Sequence, residues 1–88
     1  MDGLTVGRLV HYVVAPGECR SALIVRVFTE STNPEMGIAN LQVFVDGQND
    51  ERYLPLQGVK LSDGAWWCTS AHYSEAHERF TWHWPERV

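Results

Sequence analysis

Asn40-Leu41-Gln42-Val43-Phe44-Val45, closed by Asp46-Gly47-Gln48-Asn49-Asp50, alternates without a break. In an extended chain Leu41, Val43 and Val45 point to one side and Asn40, Gln42 and Phe44 to the other. That period of two predicts a strand over 40–45 with one face in a core, ended by a Gly-containing turn. A helix would need a 3.6-residue period over ten or more residues, and no part of the chain has one.

The same reading extends outward in both directions. Upstream, Ser21 to Phe28 (SALIVRVF) is the most apolar run. Its pattern puts Leu23, Val25 and Val27 on one face and Ala22, Ile24, Arg26 and Phe28 on the other. A strand apolar on nearly both faces is central or is covered by a partner on its second side. Leu9 to Val14 (LVHYVV) predicts a further strand, with Val10, Tyr12 and Val14 opposite Leu9, His11 and Val13. Ala15-Pro16-Gly17-Glu18 supplies a turn between the two, and Thr29 to Gly37 a polar loop. Downstream, Pro55 and Gly58 make Tyr53 to Leu61 irregular or an edge. Asp63-Gly64 is a turn, Ala65 to Ser70 (AWWCTS) a fourth strand, and Thr81 to Trp84 (TWHW) a short last strand ended by Pro85. Glu75 to Arg79 has the length of a single helical turn. Four or five short strands with turn-rich connections predict an all-β fold, a small antiparallel barrel or rolled sheet of the SH3-like kind.

Eighty-eight residues hold one core, so the expectation is a single domain over residues 1–88. Seven basic against eleven acidic residues give a formal charge of -4, which argues against a protein that holds nucleic acid by its phosphates. The opening residues lack the basic start and unbroken apolar run of a signal peptide, and no window approaches the ~18 apolar residues of a membrane helix. The expectation is therefore a cytoplasmic protein without a membrane partner. Two cysteines, Cys19 and Cys68, are too few for a disulfide framework and read as reduced thiols. A core of this size supplies about 3–5 kcal/mol, so self-association is expected to supplement it.

Four tryptophans stand out. Trp82 and Trp84 share a face of the last strand and His83 takes the other, while adjacent Trp66 and Trp67 point to opposite faces. Large aromatics usually fill cores, but an exposed indole also stacks on a flat ring. Arg8, Arg20 and Arg26 carry planar guanidinium groups that hold phosphate by two bonds, or pair with one of the acids. Arg8, His11, Arg20 and Arg26, with Trp66, Trp67, Trp82 and Trp84, are thus the candidate ligand-binding residues. Cys68, His72 and His77 follow a C-x3-H-x4-H spacing to which Cys19 could add a fourth ligand, but paired metal ligands such as C-x2-C are missing, so no metal is called for. Cys19 could meet a histidine in the fold, yet no motif with catalytic mechanics is present and no cofactor is implied. Asp46 to Arg52 (DGQNDER) reads as a solvated turn.

Val6-Gly7-Arg8-Leu9-Val10-His11-Tyr12-Val13, then Cys19-Arg20-Ser21-Ala22, and finally Thr81-Trp82-His83-Trp84-Pro85-Glu86-Arg87-Val88 form a pattern. It resembles a family of small uncharacterised proteins of phages and actinobacterial genomes, which open V-G-R-x-V-H-Y-V and close G-T-W-H-W-P-E. Phe80 stands where that pattern often has Gly. The resemblance implies a phage or prophage setting, hence the host cytoplasm, and an accessory protein rather than a metabolic enzyme; it carries over no functional residue. Together with the aromatic and arginine content, it leads to the expectation of a non-enzymatic homo-oligomer. Such a protein would sequester a small anionic ligand, in the sharpest version a nucleotide-derived immune signal. The alternative is a protein-interaction module that engages a host protein through a tryptophan-rich surface.

Overall fold

A computed structural model describes residues 3–28, 36–53 and 64–85 of the chain. Five strands, β1 (Leu9–Ala15), β2 (Glu18–Val27), β3 (Ala39–Phe44), β4 (Ala65–Tyr73) and β5 (Thr81–His83), close a barrel in the order β1-β2-β3-β4-β5. This is the small all-β, SH3-like barrel expected. β1–β2, β2–β3, β3–β4 and β5–β1 are antiparallel, and β4–β5 is parallel. The exception is forced by parity. In a ring of five strands that alternate in direction, two neighbours must run the same way.

The β1–β2 turn places Pro16 at its first corner, where φ is already set, and Gly17 at φ 78°, which only glycine adopts without strain. β3 buries Leu41 and Val43, and Val45 just beyond it, as its alternation requires. Val10, Tyr12 and Val14 join them from β1, Ala22 and Ile24 from β2, Cys68 and Ala71 from β4, and Trp82 from β5.

Three bulges bend the strands around the barrel, and they alter faces that strict alternation assigns. Val14 is extra between the Val13–Cys19 and Ala15–Glu18 pairs. Val25 is extra between the Ile24–Leu41 and Arg26–Asn40 pairs. Beyond Val25 the phase of β2 therefore reverses. Val27 packs against the core, while Arg26, expected on the face of Ala22 and Ile24, is exposed. In β4, Thr69 and Ser70 together face Asn40, and the Asn40 amide oxygen accepts the Ser70 N–H at 2.8 Å. With that bulge absorbed, β4 runs on to Tyr73 rather than stopping at Ser70.

The expected solvated turn at Asp46–Arg52 is instead a 3-10 helix over Gly47–Tyr53, and its Asp50 is 1% exposed. Tyr53 from this helix packs against the core cluster. The segment before β1 adds Leu4 to the core and ties itself to β2, with Gly7 N–H donating to the Ile24 carbonyl and Ile24 N–H to that of Arg8. Residues 75–76 and 79–80 form turns, not a helical turn, in the 74–80 return between the parallel strands. The irregular segment expected from Tyr53 to Leu61 and most of the Thr29–Gly37 loop lie outside the described residues. Among the described residues no helix is long and apolar enough to cross a membrane.

Candidate functional site

The register of β1 sets the site. Val10 and Tyr12 face inward, so His11 faces outward, opposite Ser21 on β2 and His83 on β5. His83 should therefore be a surface residue, yet it is buried. The 74–80 return folds back over it: His77 stacks on its ring at 3.9 Å with planes 13° apart, and His11 meets it edge-on at 5.6 Å. His77 reaches that position from a left-handed backbone (φ 56°), a strained conformation for a residue with a side chain. The Trp84 carbonyl oxygen lies 2.9 Å from His83 Nδ1 and can only accept, so Nδ1 carries the hydrogen in the neutral ring. Nε2 then faces Cys19 Sγ at 3.4 Å.

Where β5 ends, Tyr73, Glu75, His77, His83 and Trp84 line a cleft of about 200 Å³. Trp84 stands edge-on to Trp82 at 5.1 Å, and the Arg8 guanidinium lies 5.3 Å from the Trp84 ring centre. The Tyr73 hydroxyl donates to the Glu75 carboxylate, which holds the phenol in its protonated form and pushes its pKa up to about 12. The cleft thus offers flat aromatic and imidazole walls and one carboxylate, and one of its walls, Trp84, carries the Arg8 guanidinium on its ring. A second, wider hollow of about 760 Å³ runs past Asp46, Gln48, Asn49, Glu51 and Arg52, and none of its lining is aromatic.

Of the eight candidate residues, the fold brings Arg8, His11 and Trp84 to this cleft or to its histidine wall. The others are placed elsewhere. Trp82 is fully buried, and its indole N–H donates to the Gly37 carbonyl at 2.7 Å, so it holds the core and offers no face for stacking. Trp66 packs against Tyr12 at 5.5 Å. Trp67 points outward and is 52% exposed. Arg26 lies over Phe28.

Arg20 is committed to the fold. Its Nε and one terminal nitrogen donate to the two carboxylate oxygens of Asp50 at 2.6 and 2.7 Å, and its other terminal nitrogen reaches Glu18. The pairing holds Asp50 below its usual carboxylate range and raises Arg20, chiefly through those hydrogen bonds. An anion cluster that combined Arg20 with Arg8 is therefore not what the barrel builds. The residues of the C-x3-H-x4-H spacing are not brought together: Cys68 faces the core while His72 is exposed. Among the described residues no group of three or more His, Cys, Asp or Glu is arranged to hold a metal ion.

The sequence does not mark Tyr73, Glu75, His77 and His83 as one cleft: His77 stands out only as a metal-spacing histidine and His83 only as the residue opposite Trp82 and Trp84, because the return at 74–80 and the barrel closure are what assemble them. A second feature was half legible. Leu9, Leu23, Gln42 and Trp67 are register partners across β1, β2, β3 and β4, so they form one row on the outer face. Leu9 is 48% exposed, and Phe44, two residues from Gln42 on that face, is 44% exposed. No protein-family model, curated protein or solved structure matches this chain.

Proposed function

We propose that this domain is a small-ligand binding protein without catalytic chemistry on that ligand. The ligand is a planar ring bearing an anionic group, of which a nucleotide is the type. The observation that carries the reading is the cleft itself: Trp84, His77, His83 and Tyr73 make its walls, with Arg8 on the Trp84 ring. About 200 Å³ holds a ring but not a whole nucleotide, so the anionic part lies outside, where Arg8 is. Glu75 favours a ring edge that presents N–H donors. The overall charge of -4 counts little, because local groups set the potential of a cleft. Binding without turnover is what a sequestering accessory protein needs.

Calorimetry against nucleoside monophosphates, cyclic nucleotides and ADP-ribose tests the reading. Arg8→Ala should weaken binding about 10- to 150-fold, the range for a lost charge-assisted contact of roughly 1.5–3 kcal/mol. Absence of heat with every member, from folded protein, defeats it.

A different observation supports self-association. Leu9, Leu23, Trp67 and Phe44 expose roughly 400 Å² of apolar surface, an ordinary size for the largest patch on a lone domain, which is often functional. A second copy of the same face is the occupant that completes it, through a two-fold contact. That area is about half of the ~800 Å² per partner of a standard interface, so the pairing is weak and concentration-dependent. Sedimentation across a concentration series should show a dimer that Trp67→Glu abolishes. A monomer at all concentrations refutes it, and capture of a foreign protein by the same face would favour an interaction module instead.

A further inference from the structure

We propose that Cys19 is a nucleophilic thiol, paired with His83, that takes up small-molecule disulfides by thiol–disulfide exchange. The proposal shares His83 with the cleft but does not depend on what occupies it. Cys19 lies near the start of β2, opposite Val13, and is half-buried. Its Sγ is 3.4 Å from His83 Nε2. Because the Trp84 carbonyl claims the Nδ1 hydrogen, the Nε2 lone pair is the one that meets the thiol. A nucleophile within reach of a base, with the base oriented by a third group, is the arrangement that activates cysteine. The base is also immobilised, buried between His77 and His11.

Proton transfer from Sγ to Nε2 gives a thiolate beside an imidazolium whose other N–H is already held by the Trp84 carbonyl. Among the described residues, charged and titratable groups around the pair come from several elements. β1 contributes His11, and the 74–80 return contributes His77 together with Glu75, whose carboxylate shares the cleft with His83 and Tyr73. On β2, Glu18 shares Arg20 with Asp50, so these three groups leave one net negative charge, and Arg20 also donates to the Cys19 carbonyl.

The chemistry balances within the pair and the incoming disulfide. The Cys19 thiolate attacks one sulfur of R–S–S–R, a Cys19–S–S–R bond forms, and the original S–S bond breaks. The departing thiolate takes the proton from the imidazolium and leaves as a thiol. Cys19 is oxidised and half of the disulfide is reduced. Cys68 cannot resolve the adduct, because it faces the barrel interior opposite Leu41 while Cys19 pairs on the outside. Burial also pushes the Cys68 thiol up, away from reactivity. The adduct therefore persists until an external thiol reverses it.

Native protein is mixed with the aromatic disulfide 5,5'-dithiobis(2-nitrobenzoate) across a pH series, and the released thiol is followed by absorbance. One fast equivalent should map by mass spectrometry to Cys19, with its rate levelling off below the ordinary thiol titration near pH 8.5. His83→Gln, checked for folding by circular dichroism, should slow the reaction at pH 7 by about tenfold and move the profile upward. Should that variant fail to fold, the wild-type profile decides alone. A fast equivalent on Cys68, or a Cys19 rate that follows an ordinary thiol titration, overturns the proposal. Loss of nucleotide binding with Cys19 reactivity intact would strike only the cleft reading.

Discussion

Replacing Arg20 by alanine should destabilise the barrel by about 2–3 kcal/mol, the range for taking charge-assisted hydrogen bonds from a buried carboxylate. The geometry says why the value belongs in that range. Asp50 is 1% exposed, and three N–H donors surround its carboxylate: two from Arg20 and the Asp46 backbone N–H at 2.8 Å. Arg20→Ala removes two of the three and leaves the carboxylate with the Asp46 N–H alone among them. Asp50→Ala is milder, because Arg20 keeps Glu18 and the Cys19 carbonyl and its side chain is 20% exposed. The double variant should be more stable than Arg20→Ala alone.

The pH dependence separates this account from a simple packing loss. In the wild type the Asp50 pKa is lowered on folding, chiefly by Arg20. Its contribution is then fully present above the unfolded value near 3.8 and is lost as pH falls through the folded value. Without Arg20 that lowering is gone, and only the Asp46 N–H and Arg52 remain to oppose burial. The acid-side loss that Asp50 gives the wild type as pH falls below its unfolded value should therefore shrink in the variant, while the deficit at neutral pH persists. Urea unfolding followed by tryptophan fluorescence at neutral and at acid pH measures it. A loss under about 1 kcal/mol at neutral pH, or an acid-side loss as large as that of the wild type, would refute the reasoning.

Phe80 sits at φ 68°, a left-handed backbone that costs an L-residue about 1–2 kcal/mol. Phe80→Gly should accordingly be more stable than Phe80→Ala by about 1 kcal/mol, and chemical denaturation showing alanine ahead would remove the strain argument. Trp82→Phe should cost about 2–4 kcal/mol, because it opens a void and strands the buried Gly37 carbonyl, and a melting point near wild type would contradict that.

Strand existence was legible because alternation is a local property. Leu41, Val43 and Val45 point inward for the reason their spacing states. Faces were legible only up to the first bulge, so Arg26 was misassigned once Val25 shifted the phase of β2. Phe80 belongs with the same limit: the resemblance marked it as a glycine position, but only the backbone angle gives the physical cost of a phenyl ring there.

The sequence by itself determined the strand positions, the single core, the turn at Pro16-Gly17 and the divergence of Trp66 from Trp67, since each depends on neighbours in the chain. Which polar groups meet was decided by closure of the barrel. Arg20 and Asp50 are thirty residues apart, and Cys19 and His83 sixty-four. Periodicity carries no information about such pairs. Only the ring of five strands, with its one parallel seam and the return it requires, brings a buried acid to an arginine and a histidine to a thiol.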